Sequence, residues 1–263
     1  MKIVWKTAAA VASVMLVSCG GGGNAAISKN FNYAASQAPT ASEQAAATSA
    51  QGTVSSTSSF SSSPDATKAT AIVGLADDLA ASALGGAPIG MGPALENPRL
   101  RHALRNSVTA DCTVVTANKV TFNNCQDTDS GYTFTLNGSV SATTDSVTWD
   151  INGAFSGSSQ GYTINLNLHQ SGTLTVTTTT VKGKALSEIS GSVSGGGQSA
   201  SFGLDTAAMV DLTYNQSCVT AGTIEVKRVW SEKPSGASGP DFADVAVKLS
   251  WTGCNTVQVQ HST

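Results

Sequence analysis

Residues 132–140 read YTFTLNGSV. Tyr132, Phe134, Leu136, Gly138 and Val140 alternate there with Thr133, Thr135, Asn137 and Ser139. A period of two puts successive side chains on opposite faces of a strand, so this strand has one apolar and one hydrated face. The pattern returns at Val147, Trp149, Ile151, Gly153 and Phe155, at Tyr162, Ile164, Leu166 and Leu168, and at Val245, Val247, Leu249 and Trp251. Asp129-Ser130-Gly131, Gly157-Ser158-Ser159 and Ser194-Gly195-Gly196 punctuate these runs with turn-forming residues. Short connections between half-apolar strands predict an antiparallel meander of roughly ten strands over residues 109–263. The expected fold is mainly β: a single, strongly bent sheet, or an open or closed barrel, with a short Ala-rich helix packed on its apolar face.

Three related runs, LNGSVSAT (136–143), INGAFSGS (151–158) and ISGSVSGG (189–196), set Gly138, Gly153 and Gly191 on the apolar parity. A glycine inside a strand loses packing and costs backbone entropy, so something must use the missing side chain. Two uses fit: a bend that curls the sheet, or close approach by a helix of small residues. Such a helix is predicted upstream. Ser63-Pro64-Asp65 forms a helix start, Ile72, Leu75, Ala76, Leu79, Ala83 and Leu84 recur at helical spacing, and Gly85-Gly86 ends the pattern. The three glycines are expected together on the inner face, beside this helix. A second short helix is expected near Asn97–Asn106, so residues 64–108 read as short helices ahead of the sheet. Residues 19–63 are rich in Gly, Ala, Ser, Thr and Gln and predict a flexible tether with a reach of roughly 35–40 Å.

The chain starts MKIVWKTAAAVASVMLVSCGGGGN. Lys2 and Lys6 precede an uncharged run, Thr7 to Val17, that is too short for a permanent span of a bilayer core roughly 30 Å thick. Leu16-Val17-Ser18-Cys19 resembles the lipobox of bacterial lipoproteins: an aliphatic residue, a tolerant position, a small residue and cysteine. The resemblance covers the leader alone. It implies a signal peptide over residues 1–18, a diacylglyceryl group on the Cys19 thiol, cleavage before Cys19 and acylation of the new amino terminus. Two or more acyl chains hold a protein stably to a membrane, whereas one does so marginally. Gly20 follows the cysteine where Asp would imply retention at an inner membrane, so the resemblance implies the outer membrane of a two-membrane cell.

The chain has a formal net charge of −3, and 12% of its residues are charged, about half the usual fraction. That balance offers no electrostatic footprint for nucleic acid. With Cys19 lipidated, Cys112, Cys125, Cys218 and Cys254 remain, and an oxidising exported compartment predicts two disulfides among them. DCTVVTANKVTFNNC (111–125) reads as a hairpin turning at Asn118-Lys119. Ala117 then faces Val120, and Cys112 faces Cys125 at a non-hydrogen-bonded pair, a separation a disulfide spans. Cys218–Cys254 follows by elimination. No cysteine lies at metal-ligand spacing from another or from His102, His169 or His261, so no metal or cofactor is expected.

Other patterns have plain structural readings. Gly157-Ser158-Ser159-Gln160-Gly161 matches G-x-S-x-G, but it lies between two strands with no helix after it, so a hairpin turn is expected and no catalytic residue is assigned. Asp127-Thr128-Asp129-Ser130-Gly131 starts like a calcium loop but places Gly131 at the third ligand position. A turn is expected there too. Arg99, Arg101, His102 and Arg105 form a basic cluster that reads as a solvated helix face, with lipid headgroups or an acidic partner as the functional alternative. Trp149, Trp230 and Trp251 read as core, and Ser231–Asp241 as an exposed loop. Aromatic residues make up 6% of the chain, too few for the girdles of a membrane-spanning barrel. The expectation is therefore a non-enzymatic cell-envelope lipoprotein that meets the membrane through its lipid anchor and acts in interaction or support, with an envelope protein or lipid as partner. The alternative is a carrier of a lipid or other apolar ligand, held between helix and bent sheet.

Overall fold

The computed structural model describes residues 24–41, 43–45, 47–48, 112–129, 132–159, 161–215, 218–239, 242–254 and 256–263. Ten strands form one antiparallel sheet in chain order. They are β1 (Thr113–Val115), β2 (Lys119–Asp129), β3 (Tyr132–Ala142), β4 (Ser146–Ser159), β5 (Tyr162–Val176), β6 (Thr180–Gly195), β7 (Gln198–Tyr214), β8 (Val219–Glu232), β9 (Val245–Gly253) and β10 (Thr256–His261). β1 and β10 are the two ends of that order, and the sheet stays open.

The period-two alternation becomes two unlike faces. On the inner face, Val140, Trp149, Gly172, Ala185, Ala208 and Val226 form one row across six strands. The largest apolar cluster runs from Val120 and Phe122 on β2 to Val257 and Val259 on β10 and includes Trp149 and Trp251. A second inner cluster, centred on Phe155, Leu166, Leu168, Ile189, Phe202 and Leu204, lies further along the strands, with Trp230 at its margin. The outer face is mostly Thr, Ser and Asn, whose hydroxyls pair across strands at Ser158–Thr163 and Thr177–Thr180.

Gly138, Gly153 and Gly191 occupy inner rows, opposite Ile151, Leu168 and Leu166 respectively. They step diagonally across β3, β4 and β6. Gly138 has φ +120°, and a Cβ there would lie 2.1 Å from the Asp150 carbonyl oxygen. That backbone is open to glycine alone, and Gly138 pairs with Phe122 at the edge of a register shift between β2 and β3. Gly153 serves differently: a Cβ would meet the Phe134 ring at 3.3 Å, so the ring occupies the missing side chain's place. Trp149 covers Gly172 in the same manner. Close backbone approach at Gly138 and aromatic cover at Gly153 account for those two positions, and at Gly191 a Cβ would lie 2.5 Å from the Asn165 carbonyl oxygen, so the neighbouring strand takes its place. The helix expected over Ala71–Leu84, like all of residues 64–108, lies outside the described residues.

Cys112 is bridged to Cys125 and Cys218 to Cys254, with Cα–Cα separations of 5.2 and 5.5 Å. The pairing is the expected one, but the hairpin register differs. Val115 faces Val120, and the Thr116 N–H donates to the Lys119 carbonyl, so Ala117-Asn118 forms the turn. A regular ladder would then place Asn123, not Cys125, beside Cys112. A bulge supplies the correction: pairing with β3 jumps from Phe122↔Gly138 to Cys125↔Leu136. Asn124 takes φ 52°, and its N–H donates to Asn137 Oδ1 at 2.7 Å. The extra residue returns Cys125 to the inner face.

Two outcomes are expected from variants. The bridges close loops of 36 and 13 residues. Chain entropy therefore predicts a loss of about 4 kcal/mol for Cys218→Ala/Cys254→Ala and about 3 kcal/mol for Cys112→Ala/Cys125→Ala, an order read from urea unfolding midpoints. Gly138→Ala should cost more than Gly153→Ala, by about 2 kcal/mol, because only the first meets backbone in a left-handed conformation.

Candidate functional site

The sequence predicts a tether for residues 19–63, yet residues 24–48 are built into the sheet. Asn24 is 3% exposed and uses its whole amide. Oδ1 accepts from the Ala26 and Ile27 N–H groups, and Nδ2 donates to the Ser187 and Thr206 carbonyls at 3.2 Å. It thereby caps a one-turn helix, α1 (Ala25–Ser28), and fixes it to β6 and β7. The buried Asp205 carboxylate accepts the Ala25 N–H at 2.6 Å and the Ser231 hydroxyl at 3.0 Å. Ala26 packs on Ala207 and Val229, an apolar island on the outer face. The small Ala side chains let this backbone lie close to the strands.

From there the strap crosses β8 and β9. The Lys29 ammonium pairs with Asp244, and the Lys29 carbonyl accepts from Lys227 Nζ at 2.9 Å. The Tyr33 hydroxyl donates to Glu225. The strap then runs antiparallel to β10, with bridges Tyr33↔Ser262 and Gln37↔Val259. Gln37 and Val259 exchange both backbone bonds, at 2.9 and 3.0 Å. Thr40 and Glu43 form a reciprocal capping box, the Thr40 N–H and hydroxyl both donating to Glu43 Oε2 at 2.7 Å. Glu43 Oε1 lies 2.9 Å from His261 Nε2, and Ala47 joins the large inner cluster. The strap therefore starts on the outer face, covers the β10 edge and ends on the inner face. Thr40-x-x-Glu43 was the sequence signal for its last turn; a composition poor in large apolar residues masked the rest.

Charge makes the strap sensitive to pH. Burial raises the Asp244 carboxyl, but the hydrogen bonds from Lys29 and the Trp230 N–H outweigh it and hold the group below its ordinary value of 3.8. Burial, with the Glu225 carboxylate as acceptor and neighbouring charge, pushes the Tyr33 phenol well above its ordinary value of 10.0. Asp244 therefore contributes stability present above pH 3.8 and lost as pH falls through its folded value. Tyr33 contributes stability present below pH 10.0 and lost as pH rises toward its folded value.

A second feature lies inside. One register row reads Ile151, Gln170, Ser187, Thr206 and Arg228, a polar seam between the two apolar clusters. Gln170 is 1% exposed, and Ser187 and Thr206 are 4% exposed. Among the described residues, the Ser187 and Thr206 hydroxyls and the Trp230 indole N–H are buried with no hydrogen-bond partner. Each such group costs about 1–3 kcal/mol, so the row is a place for water or a ligand's polar group.

Of the sequence-singled residues, Cys19 and the Arg99, Arg101, His102 and Arg105 cluster lie outside the described residues, as do Ser130 and Gly131. Asp127 lies in β2 opposite Phe134. Gly157, Ser158 and Ser159 end β4 and Gly161 leads into β5, so strand lies on both sides of this motif. Trp230 packs against Phe242 with ring centroids 5.2 Å apart and planes tilted by 41°. His169 sits on the outer face between Asp150 and Glu188, 3.2 Å from each carboxylate. Among the described residues no group of three His, Cys, Asp or Glu side chains is placed to hold a metal ion. Comparison with protein-family models, curated proteins and solved structures finds no match for this chain.

Protection of the amides of residues 24–40, taken as exchange relative to the intrinsic rate at each pH, should be high between about pH 4 and 10 and fall on both sides, ahead of the sheet, in hydrogen-exchange mass spectrometry. Asp244→Asn should abolish the acid-side loss of protection attributable to that group.

Proposed function

We propose that the chain is a bacterial cell-envelope lipoprotein, held to the outer membrane through Cys19, whose sheet acts without catalysis as an interaction or structural module. The observation that carries this reading is the strap. Asn24, five residues after Cys19, is already locked to β6 and β7, so the anchor and the sheet are held within a short span of chain. The two disulfides fit an oxidising compartment, and the hydroxyl-rich outer face fits a protein that stays soluble with few charges. A second reading, a carrier of a lipid-like molecule, is favoured by one feature only. The polar seam between two apolar clusters offers hydrogen bonds to a headgroup with apolar surface on both sides.

Expression in a bacterial host with an alkynyl fatty acid should label the protein and place it in the membrane fraction, and Cys19→Ser should abolish both. Native mass spectrometry of the chain lacking its first 19 residues, after exposure to envelope extract, separates the two readings. A reproducible lipid adduct lost in Ser187→Val/Thr206→Val supports the carrier; no adduct supports the interaction or structural module.

A further inference from the structure

We infer that the outer face of the sheet lies against the lipid headgroups, beside the start of the strap, and does not stand off from them; this rests on the lipidation of Cys19 proposed above. Asn24 is fixed to the carbonyls of Ser187 and Thr206. β6 spans Thr180–Gly195 and β7 spans Gln198–Tyr214, so both anchor points are mid-strand. At about 3.3 Å per residue, the strand ends lie roughly 23–26 Å from that point. Cys19 and Asn24 are five residues apart, a span of at most about 18 Å whatever its path. The intervening residues are all glycine, Gly20 to Gly23. A sheet standing on its strand ends would need a longer leash than the chain provides. The β1 edge, five strand steps from β6 and roughly 24 Å away, is also out of reach, and the nearer β10 edge is covered by the strap, so the acyl chains enter the bilayer from the side of the sheet on which Asn24 docks.

Toward β10 that side is occupied by the strap itself, through Lys29 and Tyr33. The remaining outer surface of β4 to β6 presents Thr148, Asn152, Asn167 and Thr173. Lys184 stands exposed at its border with β7, Lys182 pairs there with Asp211, and Asp150 and Glu188 flank His169 on the same face. Hydroxyls, amides and charges of both signs match the headgroup layer, which is hydrated and polar. No apolar insertion is needed, because the acyl chains supply it.

The test is neutron reflectometry on the full-length, acylated protein in a supported bilayer of phosphatidylethanolamine and phosphatidylglycerol. Protein density should begin within about 18 Å of the headgroups and form a layer thinner than the roughly 50 Å length of the longest strands. A wider solvent gap, or a layer as thick as the strands are long, overturns the inference. Inserting fifteen Gly/Ser residues between Gly23 and Asn24 leaves the sheet untouched and should roughly double the mean leash length. The layer should then lift or broaden, and a layer identical to that of the natural chain would overturn the inference. Mass analysis of the N-terminal peptide separates the two levels. An unmodified Cys19 removes the lipoprotein reading and this inference together, whereas an acylated Cys19 beneath a distant layer removes only the inference.

Discussion

An open sheet ends in two strands whose outward N–H and C=O groups lack partners, and those groups invite pairing with another chain. Ten strands without closure make this the governing constraint here. One end is blunted by length, since β1 has only three residues. The other end, β10, is covered by the strap through the reciprocal Gln37–Val259 bonds. To reach that edge the strap crosses the outer face from Asn24, and beyond it the chain turns inward to place Ala47 in the core. The need to satisfy one edge therefore fixes where the amino-terminal part of the chain lies. Through Asn24, it also fixes how far Cys19 can be from the sheet.

The inner face shows how the sheet reconciles size with curvature. Strands of fourteen to seventeen residues, such as β4 and β7, would form a flat sheet that leaves its apolar face poorly covered. Gly138 lets β3 pass the Asp150 carbonyl closely by taking a backbone that no L side chain adopts easily. Gly153 and Gly172 instead leave room for Phe134 and Trp149, so the aromatic rings replace the missing packing. The polar seam at Gln170, Ser187, Thr206 and Arg228 runs against this economy. Buried hydroxyls without partners are costly, and they divide the apolar face where a ligand's polar group would be best received.

The legibility of these features in the sequence follows from how local each one is. Alternation at Tyr132–Val140 and its repeats is a local property, and it yields strand, face and topology without tertiary information. The cysteine pairing was readable, but for an incomplete reason. The turn falls at Ala117-Asn118, and only the bulge at Asn124 brings Cys125 back to Cys112. A bulge depends on the neighbouring strand, here on Asn137 Oδ1, which no hairpin pattern contains. The strap was misread as a tether because its composition lacks the large apolar residues that announce burial. Its order comes from Asn24, Asp205 and Asp244, whose hydrogen bonds reach across some 180 to 220 residues of chain.

The sequence by itself determined the mainly β class, the meander and the two disulfides. Each depends on periodicity, on turn residues or on a short contiguous motif, and such signals survive without neighbours. Only the tertiary structure decided which face the amino-terminal segment covers, how β10 is capped and which polar groups meet inside. Those outcomes depend on the register between strands distant in the chain. A shift of one residue would exchange Asp205 for Thr206 on the outer face and dissolve both the strap's anchor and the seam.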